Sequence, residues 1–171
     1  MRRTLSRVAL ALAFWSLPTA GSASWVYEAQ GGAFDGDPLH VALTAEGGRA
    51  FGVRCDEVEL SLIYISNDFS ITPDIMRSAN DALPRLLVRV DEGEVSRFFG
   101  ALEAAGNGAA MMVAPIIGEN LPAIIEAGST IDIGVDVAGQ VFLEAQFGAL
   151  DARSALGQVV SECNNPLMEM N

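Results

Sequence analysis

The chain has 171 residues, half of them hydrophobic, enough for one domain to bury a core of its own. All ten basic residues are arginine, set against twenty-two acids for a net charge of −12. That balance excludes nucleic acids and anionic membrane surfaces as principal partners, since both need a basic footprint. The acidity itself reads as solubility in a crowded or salty compartment, or as a docking face for a basic partner.

The first 23 residues carry the three parts of a secretory signal. Arg2, Arg3 and Arg7 form a basic start and Val8 to Leu17 an apolar run. Pro18 breaks that run, and Gly21 and Ala23 stand at −3 and −1 of a cut before Ser24. About ten apolar residues are too few to span a bilayer, which needs roughly 20. With Arg2, Arg3 and Arg7 removed, seven of the ten arginines face all twenty-two acids, a net of −15. The expected organisation is a signal peptide over 1–23, a single exported β-rich domain over 24–163 and a flexible tail over 164–171. No membrane insertion is expected after cleavage.

Past the signal, the WVYEAQ run from Trp25 to Gln30 predicts a short aromatic strand, followed by a Gly-Asp loop to Asp37. Leu39 to Ala45 alternates with the period of a half-buried strand, with His40, Ala42 and Thr44 on its outer side. Glu46-Gly47-Gly48 turns it into Arg49 to Cys55, where Phe51, Val53 and Cys55 face together. Glu59 to Ser66 is apolar on both faces in its second half, as a central strand is. The polar stretch Asn67 to Asp81, interrupted by Pro73, reads as a long surface loop.

Pro84 to Asp91 and Val95 to Leu102 form the next hairpin around an acidic turn. Ala109 to Ile117 is a strand interrupted by Pro115, hence near an edge or ending there. Asn120 opens a helix that tolerates Pro122 in its first turn and ends at Gly128. Thr130 to Val137 alternates cleanly, and Ala138-Gly139 turns it into Val141 to Phe147. A last helix follows with Gly148 as N-cap and Asp151 at N3. Ala149, Ala152, Leu156, Val159 and Cys163 share one of its faces. The fold class is α+β: a mainly antiparallel sheet or open sandwich with two late helices that cover a sheet face.

Two cysteines in an exported chain are most simply a disulfide. Cys55 bonded to Cys163 staples the last helix to an early strand, and closing so long a loop contributes about 4–5 kcal/mol on the chain-entropy account. The alternative, two free thiols acting as nucleophile or metal ligands, finds no Cys-x-x-Cys spacing and only one histidine, His40.

The candidates for chemistry are few. His40 offers a lone general base. Asp35 and Asp37 resemble part of a calcium loop with Glu46 at position twelve, but His40 stands where that loop needs glycine. Asp132 and Asp136 share a strand face about 13 Å apart, too far for a glycosidase pair. Met111 and Met112 read as core. No lysine completes a phosphate loop from the glycine pairs.

Taken together, several stretches resemble the VasI-type periplasmic accessory proteins of type VI secretion. They are Trp25 after the signal, Val53-Arg54-Cys55 ending a strand, Leu87-Val88-Arg89-Val90-Asp91 before a glycine turn, and Phe142 to Gly148 leading to a helix that ends in Cys163. Ala114-Pro115 and the helix after Phe147 are similar to the invasion-associated locus B family. Neither resemblance implies catalytic residues or a cofactor.

The expected function is therefore a periplasmic or secreted, non-enzymatic binding or accessory protein that contacts another envelope or secretion-system protein. Trp25, Arg54 and Arg89 are its expected contact residues; no catalytic or metal residues and no cofactor are assigned. The alternatives are a small-ligand carrier, which requires an apolar cavity between sheet and helices, and a metal-assisted hydrolase using Asp35 and Asp37.

Overall fold

Alternation and turn glycines divide the described residues into ten strands, and antiparallel pairing gathers them into two sheets. The computed structural model describes residues 24–30, 39–56, 59–105, 108–116 and 121–163. Residues 1–23, expected to be a signal, together with Asp35, Asp37 and residues 164–171, lie outside the described residues. Strands β1 (Val26–Gln30), β2 (Leu39–Glu46), β3 (Arg49–Asp56) and β4 (Glu59–Ile65) form a meander. With β7 (Ala101–Ala104) and β8 (Ala110–Pro115) they make a six-stranded sheet ordered β1-β2-β3-β4-β8-β7. The second sheet is ordered β10-β9-β5-β6, from β5 (Arg85–Val90), β6 (Val95–Phe99), β9 (Thr130–Val137) and β10 (Gln140–Gly148). The fold class is as the sequence implied, and of its two options it is the sandwich.

Aromatic rings join the layers. Phe147 of β10 packs against Phe51 of β3 and Tyr64 of β4, with ring centroids 6.0 and 6.3 Å away. Leu86, Val88, Ile131, Ile133 and Val135 fill the inner face of the smaller sheet, opposite Leu62, Met112 and Ala114. Two aromatic pairs of this kind add about 1–3 kcal/mol beyond the area they bury.

The faces of β2 are reversed relative to expectation. His40 pairs with Cys55, Ala42 with Val53 and Thr44 with Phe51, and paired residues share a face. Cys55 must face the closing helix, so His40 is drawn inward and is only 9% exposed. Leu39, Val41 and Leu43 instead join Ile63, Met111 and Val113 in a smaller apolar cluster on the opposite side. Strand alternation alone does not distinguish the two faces when both carry apolar groups. The small side chains of Ala42 and Thr44 are what leave room for a helix on this face.

Residues 67–81 are not wholly a loop. Helix α1 (Pro73–Asp81) begins after Thr72, whose hydroxyl accepts a hydrogen bond from the Ile75 amide at 3.4 Å. Pro73 occupies the first turn, where a missing N–H costs nothing, and Asp74 faces the positive end of the helix. What read as a breaker is a start signal. Asn80 at the far end of α1 pairs with the backbone of Leu102 in both directions, at 2.9 and 2.7 Å, and so occupies the free edge of β7.

The return strand expected over 95–102 is likewise split. Gly100 divides it into β6 in one sheet and β7 in the other. A Cβ there would lie 2.2 Å from the Val113 carbonyl oxygen, so only glycine allows the chain to cross between layers at this point.

Helix α3 (Ala152–Glu162) closes the molecule over β1, β2 and β3, and α2 (Leu121–Ile125) packs against it. All five residues of the expected stripe are buried. Leu156 and Val159 together contribute roughly 3–6 kcal/mol by leaving water. Cys163 is bonded to Cys55 with a Cα separation of 5.7 Å. The helix starts later than expected, with Asp151 rather than Gly148 as N-cap. Residues 148–150 are held in place by other partners: Trp25 donates from Nε1 to the Gly148 carbonyl and from its amide to the Leu150 carbonyl, both at 3.0 Å. The Ala149 amide donates to Ser129 at 2.9 Å.

Candidate functional site

The outer face of the four-stranded sheet is built from alternate residues of its strands. Register places Arg85 beside Phe99 and Asp136, Leu87 beside Arg97 and Gly134, and Arg89 beside Val95 and Asp132. Between them lies a shallow basin of about 560 Å³, lined among others by Arg49, Leu87, Arg89, Val95 and Val141. Gly134 forms its floor; a Cβ there would stand 2.9 Å from Cγ1 of Val141, so a side chain would begin to fill the basin.

Arg89 is held in position. Its Nε and Nη2 donate to Oδ2 of Asp132 at 2.9 and 2.5 Å, and Gln146 donates to Oδ1 at 2.7 Å. Partial burial pushes the Asp132 carboxyl up, but the hydrogen bonds from Arg89 and Gln146 and the Arg89 charge together bring it below its usual value. The carboxylate therefore stays ionised and orients the guanidinium. An exposed pair of this kind contributes little to stability, on the order of 0–1 kcal/mol. It positions a cation at a basin rim.

Arg49 crosses from the other sheet. The β9–β10 ladder slips between Phe142 and Ala145, where Leu143 has a φ of +55°. Such a bulge removes carbonyls from the ladder, and Arg49 Nη1 donates to that of Glu144 at 2.8 Å.

The three expected contact residues are in different places. Arg89 lines the basin just described. Arg54 lies on the outer face of the six-stranded sheet, in a separate hollow of about 330 Å³ with Asp56, Glu59, Ser61, Val113 and Pro115. Its Nε is buried without a hydrogen-bond partner. Trp25 is only 4% exposed and meets Phe51 edge-on at 5.8 Å, so its ring belongs to the core.

His40, weighed as a base, has its Nδ1 2.8 Å from the Tyr27 hydroxyl, and the two rings stack. Asp35 and Asp37, the acids of the hydrolase alternative, lie outside the described residues. Among the described residues no three His, Cys, Asp or Glu side chains gather as a metal would require. A hollow of about 320 Å³, lined by Val88, Val90, Phe98 and Ile124 with Ser96 and Glu94, lies between the β5–β6 hairpin and α2, where the carrier alternative puts its ligand.

Sequence reasoning missed Asp91 as more than a turn residue. Its carboxylate accepts from the Ser129 hydroxyl at 2.6 Å and from the amides of Gly128, Ser129 and Thr130 at 2.9–3.0 Å. Chiefly the Ser129 hydroxyl, then these amides, hold the carboxyl far below its ordinary range. A depressed folded value means stability that is fully present above the unfolded value of about 3.9 and lost as pH falls below it. Asp91→Asn should therefore unfold at a lower temperature at pH 7, with a deficit that shrinks progressively as pH falls from about 4 towards the folded value, by thermal melts across pH. Equal losses at both ends would show that the charge is not what matters.

No family model matches this chain, and neither does any curated protein. Among solved structures it is similar to invasion associated protein B of Bartonella henselae, with a TM-score of 0.51 and 12% identity over 83% of this chain and 95% of that one. At that identity the likeness is of fold alone. The residues behind the sequence similarity to that kind of protein are structural here: Ala114 and Phe147 are both buried.

Proposed function

We propose that this chain is an exported, non-enzymatic binding module whose contact surface is the outer face of the four-stranded sheet. The observation that carries the reading is exposed apolar surface beside fixed cations. Val95 and Val141 are 38 and 46% exposed in the basin that Arg89 and Arg49 rim, and Phe99, 62% exposed, stands further along the same sheet face. Aromatic side chains and arginine are the groups enriched where proteins meet. A buried disulfide suits an oxidising compartment, and among the described residues no helix is long and apolar enough to cross a membrane. The partner is another cell-envelope protein, and the resemblance to VasI-type proteins suggests a secretion-associated one.

Crosslinking in the periplasm followed by purification tests this. Arg89→Glu should cut recovery of the crosslinked partner at least about tenfold while leaving folding stability within about 1 kcal/mol. Arg54→Ala, on the opposite sheet, should leave recovery unchanged. Equal recovery with Arg89→Glu and the parent, or a loss with Arg54→Ala alone, would move the surface elsewhere.

A further inference from the structure

Charge is unevenly distributed over this molecule. Arg85, Arg89, Arg97 and Arg49 lie on or at the rim of one sheet face, four of the seven arginines that follow residue 23. Among the described residues, the acids on that face are Asp132, Asp136 and Glu144. It is an island that accepts negative charge on a surface that otherwise repels it.

The sheet edges differ too. The edge of β7 is occupied by the Asn80 amide, and that of β10 is interrupted by the bulge and by Arg49. At β1, Glu28 adds to the charge that opposes association with another acidic chain. At the margin of the smaller sheet, β6 pairs only with β5 among the described residues. Its outward side chains are Val95, Arg97 and Phe99, and the Arg85 guanidinium lies 4.9 Å from the centre of the Phe99 ring. Arg97 Nη1 also reaches the Val95 carbonyl at a long 3.4 Å, a contact that an incoming strand would displace. An edge strand with no strand beside it offers backbone donors and acceptors to an incoming strand, while alternate side chains set specificity.

We infer that β6 is the acceptor for an extended segment of a partner protein that presents on one face an acidic side chain with apolar ones two residues to either side. This rests on the binding surface proposed above and adds the chemistry of its occupant. On that face the acid lies beside Arg97, in the field of Arg85 and Arg89 one strand further in, the apolar groups meet Val95 and Phe99, and the main chain adds a fifth strand to the sheet. Because the rest of the molecule is strongly acidic, such a segment is accepted only here, which fixes its position.

The test uses random twelve-residue linear peptides displayed on phage, selected on the purified protein and in parallel on Arg97→Glu. Arg153→Glu, an equal charge change on α3, is the control. Expected are peptides with an Asp or Glu flanked two positions away by apolar residues, binding Arg97→Glu at least about tenfold more weakly and Arg153→Glu as the parent, and slowing hydrogen exchange at the amides of Val95–Phe99. Peptides without acidic enrichment, equal loss in both variants, or exchange protection elsewhere would overturn the inference. So would protection of β6 that rises with protein concentration and needs no peptide, since the occupant would then be a second copy. If periplasmic capture fails with Arg89→Glu but no peptide protects β6, the surface stands and strand addition falls. If β6 is protected but capture ignores Arg89, the reverse holds.

Discussion

Replacing Cys55 and Cys163 together by alanine should lower the unfolding midpoint by roughly 10–15 °C. The bond joins residues 108 apart, and opening a loop of that order releases about 4.7 kcal/mol of denatured-state constraint. For a domain of this size, each kcal/mol moves the midpoint by about 2–4 °C. Both cysteines are fully buried, so a reductant should act only after the structure opens, and the untreated, denatured protein should contain no titratable thiol. The loss should fall mainly on α3, which the bond holds to β3. A midpoint change below about 2 °C, or two thiols in the untreated protein, would remove the tether from the account of stability.

A second large effect is expected at Trp25. Trp25→Ala removes a buried ring from between Phe51 and the chain entering α3, and should cost about 3–5 kcal/mol. Trp25→Phe keeps most of the volume but leaves the Gly148 carbonyl without its indole donor, for about 1–3 kcal/mol. Once residues 1–23 are removed, Trp25 is the only tryptophan, so in the parent its emission follows unfolding directly. The phenylalanine variant also separates packing from recognition. If it folds but no longer captures the partner, Trp25 is a contact residue after all, as the sequence suggested; if it captures normally, the ring serves the core alone.

Much of the architecture was legible because strand alternation and turn glycines are local signals. Thr130 to Val137 shows this well: Ile131, Ile133 and Val135 are buried, Val137 is partly so, and Asp132 and Gly134 lie on the surface the basin occupies. The tether was legible because two cysteines allow one pairing. Other features depend on tertiary context. The faces of β2 are set by the partner strand and by the demand that Cys55 reach α3, neither of which Leu39 to Ala45 contains. Pro73 carries opposite meanings inside a helix and at its start, and only Thr72 before it distinguishes them. The site is the least local of all. Arg89 stood in a recognisable stretch, but Asp132, Gln146 and Arg49 reach it from other strands, and no spacing along the chain announces that they meet.

The single glycine between β6 and β7 has a mechanical consequence. Leu102 follows β6 by only a few bonds and is gripped by Asn80, so the margin of the smaller sheet, the edge of the larger and helix α1 are linked in series. An occupant that stiffens β6 should therefore slow amide exchange at α1 on the far layer too, a report at a distance that the margin is filled.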